Sequence, residues 1–273
     1  MRAPRSLSNR LVAAQLVAVL AVLGGGIAGA QSLRRPDSGN AQELVAQAAT
    51  KVTAAGSYRT TYSFSLKASG LSVMSRGTGF ADTVRHLQSG TFEIPGGLGM
   101  LEFRQVADVI YLRLPGGRTD AQGHHWISAV APAAQAEQSF GGQDPLAFLR
   151  TLSDPAGVTD LGPAKVDGVA TTHYRMTLDP GKVVAALGQA GQTLPAGAAD
   201  QVKDVRTDVW LDAAHLPRRL QTSLKAAGAT ATFTFTFADF GGQVTVAAPE
   251  ASDVTTAADP SQLTAALQGA LVR

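Results

Sequence analysis

The chain has 273 residues, of which 45% are hydrophobic, 6% aromatic and 16% charged, and it contains no cysteine. A sizeable core built mainly from Ala, Val and Leu is available, while a disulfide framework, a thiol nucleophile and a cysteine-linked lipid anchor are excluded. The net charge of +2 comes from Arg2, Arg5 and Arg10; without them 23 − 3 = 20 basic residues face 21 acidic ones, for a charge of −1, which excludes the electrostatic footprint of a nucleic-acid binder.

In chain order, residues 1–10 are basic and residues 11–30 are uncharged, and Ala28-Gly29-Ala30 offers small residues for cleavage before Gln31. This predicts a signal peptide over 1–30. The alternative is an uncleaved anchor, since twenty such residues can span a bilayer; Gly24-Gly25-Gly26 weakens a permanent helix and favours cleavage. Either outcome places the rest of the chain outside the cytoplasm, in a periplasm-like space, the envelope or the medium. Gly24, Gly26 and Gly29 spell GxGxxG, but no strand precedes them and no βαβ unit follows, so they carry no dinucleotide-binding meaning.

A short linker over 31–39 leads to a helix over 41–55, with caps among residues 37–40, Leu44, Val45, Ala48 and Val52 on one face, and Gly56 as its stop. The period then changes to two. Tyr58, Thr60, Tyr62, Phe64 and Leu66 face one way, and Arg59, Thr61, Ser63, Ser65 and Lys67 the other, which marks a half-buried antiparallel strand. Further strands are predicted at 71–80, 85–94, 100–106, 109–114, 126–128, 158–161, 165–166, 171–178, 205–211, 217–224, 229–237 and 244–247, separated by Gly and Pro signals. Val166-Asp167-Gly168-Val169 reads as a two-residue hairpin turn, and Phe240-Gly241-Gly242 as a turn before a last strand. Two helical insertions interrupt the series. One follows Asp144-Pro145 with Leu146, Phe148, Leu149 and Leu152 on one face; the other covers about 181–190, ending in a loop at Pro195. Residues 251–273 form a tail, with a terminal helix over 262–272 or a frayed end. The whole reads as α+β around a single antiparallel sheet of about ten or eleven strands, in one domain over 40–250.

Chemistry-bearing residues are sparse. His124-His125 would point to opposite faces of a strand and reads as a solvated turn rather than a zinc site. His173 is expected to face outward beside an inward Tyr174. Asp208 and Asp212 share one face of a strand, a spacing conceivable in a glycosidase, but polar alternation around Trp210 and the ordinary preference of Asp for solvent explain them better. There is no GxSxG, P-loop or HExxH motif, so neither an enzyme nor a cofactor is expected.

Several phrases, in order, carry a family likeness: 106–111 (VADVIY), Trp126, Leu161-Gly162, 166–169 (VDGV), 171–174 (TTHY), 208–212 (DVWLD), 216–219 (LPRR) and 237–241 (FADFG) with Val244. Together they resemble the mycobacterial lipoprotein family of LppX, LprA, LprF and LprG across roughly 40–250. The resemblance implies a half-barrel sheet with helices on its concave face, similar to the carrier LolA, and an apolar cavity that binds a lipid or acylated glycolipid moved through the envelope, with the inner-membrane surface or transport machinery as a further partner. The family carries a cysteine at the end of its signal, where this chain has Ala30-Gln31. From the residues alone, the apolar rows could fill a solid core or line a cavity. With the resemblance, the expected lining is Tyr62, Phe64, Phe92, Phe103, Tyr111, Phe148, Leu149, Tyr174, Met176, Phe233 and Phe235, with segments 132–155 and 181–195 as lids. The rival reading is an envelope sensor or interaction module on the same fold, without lipid cargo, using an exposed sheet edge.

Overall fold

The computed structural model describes residues 39–68, 71–95, 97–130, 157–178, 202–226, 229–258 and 262–263. The signal segment, the linker up to residue 38, both helical insertions with Phe148 and Leu149, and all but the start of the terminal helix lie outside these residues.

Helix α1 (Gly39–Ala55) forms because apolar residues recur at three- and four-residue steps: Val45, Ala48, Ala49 and Val52 are all buried. On its exposed side Gln47 donates to the Glu43 carboxylate, 3.0 Å away. Gly56 ends the helix with a positive φ of 80°, its N–H reaching the Thr53 carbonyl at 3.1 Å. The small Ala48 and Ala49 let the helix axis come close to the sheet beneath.

Twelve strands follow: β1 (Ser57–Ala68), β2 (Leu71–Asp82), β3 (Leu87–Ile94), β4 (Gly99–Val106), β5 (Val109–Arg113), β6 (Trp126–Val130), β7 (Val158–Val166), β8 (Val169–Leu178), β9 (Val202–Leu211), β10 (Pro217–Ala226), β11 (Ala229–Ala238) and β12 (Val254–Thr256). They make one open, curved sheet in the order β12-β6-β5-β4-β3-β2-β1-β11-β10-β9-β8-β7. Every pairing is antiparallel except β12 with β6. The chain thus lays down a meander outward from β1, and a second meander that starts at the far edge and returns to β1. Helix α1 has 17 residues and so reaches about 25 Å, about the width of the strand steps from β1 to β7 at roughly 4.8 Å each. It packs across that half of the concave face, touching β1, β9 and β7.

Several boundaries differ from the sequence reading, each for a local reason. Segments 158–161 and 165–166 are one strand, β7, because a bulge between Asp160 and Gly162, with Gly162 at φ 87°, carries the pairing past Pro163. Strand β3 starts at Leu87 rather than at residue 85, since Arg85 is drawn into a turn by the Asp82 carboxylate, which takes its N–H at 2.8 Å and its Nε at 2.7 Å. Residues 244–247 are not a strand. They belong to a strap whose carbonyls are claimed by arginines, Val244 by Arg85 and Ala247 by Arg104. The sheet also extends into the expected tail, where Val254, Thr255 and Thr256 pair with Trp126, Ile127 and Ser128. The Asp167-Gly168 turn has the predicted form, with φ of 49° and 85°.

The edges are blunted. β12 is three residues long, and β7 carries a bulge and a proline that lacks an N–H.

Candidate functional site

The concave face is read directly from the register. One row runs Leu101, Phe92, Gly77, Tyr62, Phe235, Leu220, Val209 and Tyr174 from β4 to β8. A second runs Ser75, Phe64, Phe233, Thr222, Thr207, Met176 and Val158 from β2 to β7. The β1–β11 seam stacks its aromatic pairs across the strands: Tyr58 with Phe237 at 5.7 Å, Tyr62 with Phe235 at 6.3 Å and Phe64 with Phe233 at 4.7 Å. The hydroxyls embedded in this floor are satisfied internally, Thr207 and Thr222 bonding each other at 3.1 Å and Ser75 donating to the Glu93 carbonyl.

Two apolar clusters share the face. One joins α1 to β1 and the β8–β11 strands; the other joins Phe92, Ile94, Leu101, Phe103, Ile110, Leu112 and Ile127 with Leu263. Tyr62 packs against both. Its ring lies over Gly77, and its hydroxyl crosses β2 to donate to the Thr91 carbonyl on β3 at 2.7 Å. Burial pushes the phenol well above the usual tyrosine range. A β-carbon on Gly77 would collide with both the Tyr62 ring and the Thr91 oxygen, and one on Gly90 would stand 2.6 Å from the Phe103 ring. The glycines of β2 and β3 therefore act as seats for rings laid flat on the backbone.

Of the expected lining, Tyr62, Phe64, Phe92, Phe103, Tyr174, Met176, Phe233 and Phe235 lie on this concave face. Tyr111 does not. It alternates with the core residues Ile110 and Leu112 and pairs with Arg104 and Ser128, which puts it on the convex face. Residues left out of the expected set also build the face, among them Leu101, Val209, Leu220 and Phe237; strict alternation along each strand would have found them.

The polar residues singled out in the sequence have structural partners. Asp208 and Asp212 are buried, contrary to the expected surface position. Asp208 takes hydrogen bonds from His173 at 2.7 Å and Arg175 at 2.9 Å. Asp212 holds the β9–β10 turn, accepting from the Ala214 and Leu216 N–H groups and from Arg218. His173 is on the convex side, as its neighbour Tyr174 is concave, but it is stacked on Trp210 at 4.2 Å rather than standing free in solvent. The His124-His125 pair is likewise no solvated turn. His125 bonds the Asp253 carboxylate at 2.8 Å and His124 the Thr255 hydroxyl at 2.7 Å, which fastens β12 to the sheet. The His125 backbone N–H and ring, both bonded to the Asp253 carboxylate, hold that carboxyl low, and the Thr255 hydroxyl, donating to Asp120, holds the Asp120 carboxyl at about 2. Among the described residues no group of three or more His, Cys, Asp or Glu could hold a metal ion, and no helix is long and apolar enough to cross a membrane.

Solved structures share this architecture. The lipoprotein LppX of Mycobacterium tuberculosis superposes with a TM-score of 0.50 at 16% identity, covering 77% of this chain and 100% of its own. The fold is that of LppX. LprF from Mycobacterium bovis matches with a TM-score of 0.45 at 16% identity, over 77% of this chain and 96% of that one. No protein-family model and no curated protein matches the sequence. This chain folds as a single open curved sheet and shares its fold with LppX, so the residues of the concave side are placed by the architecture and not by local motifs.

Proposed function

We propose that this is an exported, non-enzymatic envelope protein that holds the acyl part of a lipid or acylated glycolipid against the concave face and carries it between envelope layers. The observation that carries the reading is the continuous aromatic and aliphatic floor from β4 to β8, whose few hydroxyls are bonded to one another or to the backbone. An acyl chain asks for apolar area and little else, at about 0.8 kcal/mol per buried methylene before ordering costs. The LppX-like fold and the phrase-level resemblance to that lipoprotein family support it. Phe148 and Leu149, and the segments 132–155 and 181–195, are proposed as the cover over the cargo, and cleavage before Gln31 as the step that frees the carrier. The sheet-edge reading draws little support from edges as short and as interrupted as β12 and β7.

Native mass spectrometry of the protein exported from an actinobacterial host tests the proposal. A stoichiometric added mass that extracts as an acylated lipid is the expected result. A bare polypeptide that takes up no lipid from offered extracts would overturn it.

A further inference from the structure

The convex face carries a second concavity, on the side of the sheet opposite the apolar floor. A groove of about 460 Å³ is lined by outward-facing residues of β11, β1, β2, β3 and β4, with Tyr62 and Gly77, whose side chains belong to the concave row, also at its floor. Its chemistry follows from the register. Thr236, Thr61, Thr78 and Thr91 stand side by side on four neighbouring strands, at roughly 4.8 Å intervals. Beside them Arg76 and Glu93 also line the groove, with the exposed Met100 paired to Glu93 across β3 and β4. Among the described residues Arg76 donates only to the Met74 sulfur, 3.2 Å away, and neither it nor Glu93 is in an ion pair. Elsewhere on this face arginines are committed: Arg59 to Asp239, Arg104 and Arg113 to Glu102, Arg175 to Asp208.

We infer that this groove is a saccharide-binding site. An acyl chain or an apolar peptide would strip water from the hydroxyls and both charges without replacing their hydrogen bonds. An anion would meet Glu93 as well as Arg76, and one free guanidinium is too little for a nucleic-acid strand. A sugar ring satisfies the whole set. Its vicinal hydroxyls match the planar, two-pronged guanidinium and carboxylate, the threonine hydroxyls both donate and accept, and the threonine methyls with Met100 offer apolar contact to the ring's C–H faces. Apart from Tyr62 and Gly77, the lining residues lie on the face of the sheet opposite the concave floor, so the inference does not rest on the lipid-carrier reading.

The test uses the intact protein with maltotriose, chitotriose and mannotriose as probes, followed by saturation-transfer NMR and by backbone amide shifts. At least one probe should bind in the millimolar range, with shifts confined to residues around Thr61, Thr78, Thr91 and Arg76. Arg76→Ala and Glu93→Gln should each weaken binding about tenfold, and Thr61→Val or Thr78→Val a few-fold, with circular dichroism unchanged. Failure of all three probes to bind at millimolar concentration would overturn the inference, as would equal affinity in wild type and an Arg76→Ala/Glu93→Gln double variant.

Discussion

Replacing Gly77 by alanine probes the way the sheet seats Tyr62. The added β-carbon collides with the Thr91 carbonyl oxygen, part of the backbone, and with the Tyr62 ring, which is held by its own hydrogen bond to that same oxygen. Overpacking of this kind costs about 1–3 kcal/mol. Loss of the phenol's hydrogen bond adds about 1 kcal/mol, and the lower chain entropy of alanine returns about 0.5–1 kcal/mol. The net is about 2 kcal/mol. With a urea m-value near 3 kcal/mol/M, the unfolding midpoint should fall by about 0.7 M. Gly79→Ala is the matched control, on the same strand and face. Its β-carbon meets the Ser89 carbonyl at 3.1 Å and the Thr60 methyl at 3.5 Å, so its midpoint should move by less than about 0.2 M. In a Tyr62→Leu background the Gly77→Ala cost should shrink by about 1 kcal/mol, because one of its two obstacles has gone. Equal shifts for the two glycines, or an undiminished cost in the leucine background, would refute the seating argument.

The remaining predictions concern the convex side and the turns. Asp120 and Asp253 have depressed folded-state ionisation, so their contribution is complete above the unfolded carboxylate range and is lost as pH falls through the folded values, about 2 for Asp120. The protection factors of the Val254, Thr255 and Thr256 amides, the intrinsic exchange rate over the observed one at the same pH, should therefore stay high at pH values near 4 and fall on further acidification; an Asp120→Asn/Asp253→Asn variant should show low protection already at neutral pH. Asp208→Asn weakens the bonds from His173 and Arg175 and should cost about 1–2 kcal/mol in urea unfolding, the exposed Arg175 contributing the smaller share. Gly168→Ala should cost about 1 kcal/mol, since φ is 85° there, whereas Gly157→Ala, which meets open space, should be neutral by the same measurement.

Legibility in the sequence tracked how regular each segment is. β1 and β11 alternate without a break, so their faces were readable residue by residue. Tyr111 was not, because Val109-Ile110-Tyr111-Leu112 is apolar throughout and alternation gives no sign of which side is which. Val244 and Val246 alternate like a strand, yet the carbonyls of Val244 and Ala247 are bonded by arginine side chains in the β2–β3 turn and on β4, which no local pattern reveals. β12 is shorter than any periodic signal, and its anchors, His124 and His125, lie about 130 residues away. The aromatic floor could be anticipated, but Gly77 and Gly90 as ring seats could not be assigned without the register. A glycine inside a strand was the available hint. Asp208 and Asp212 read as surface residues because burial of a carboxylate depends on partners that only the folded pairing supplies.

The place of β1 in the sheet has a consequence for how the chain is made. Its partner β11 arrives very late: the Arg59–Asp239 ion pair at the base of the seam joins residues 180 positions apart. A chain growing from its N-terminus can zip β1 through β6 by local hairpins while the other edge of β1, with its row of backbone N–H and C=O groups, has nothing to pair with. Until residue 229 has emerged, that flank is an adhesive template for any passing strand. A nascent or truncated chain that stops before β11 is thus a seed for aggregation, and the finished protein, with the same strand locked at the middle of its sheet, is not.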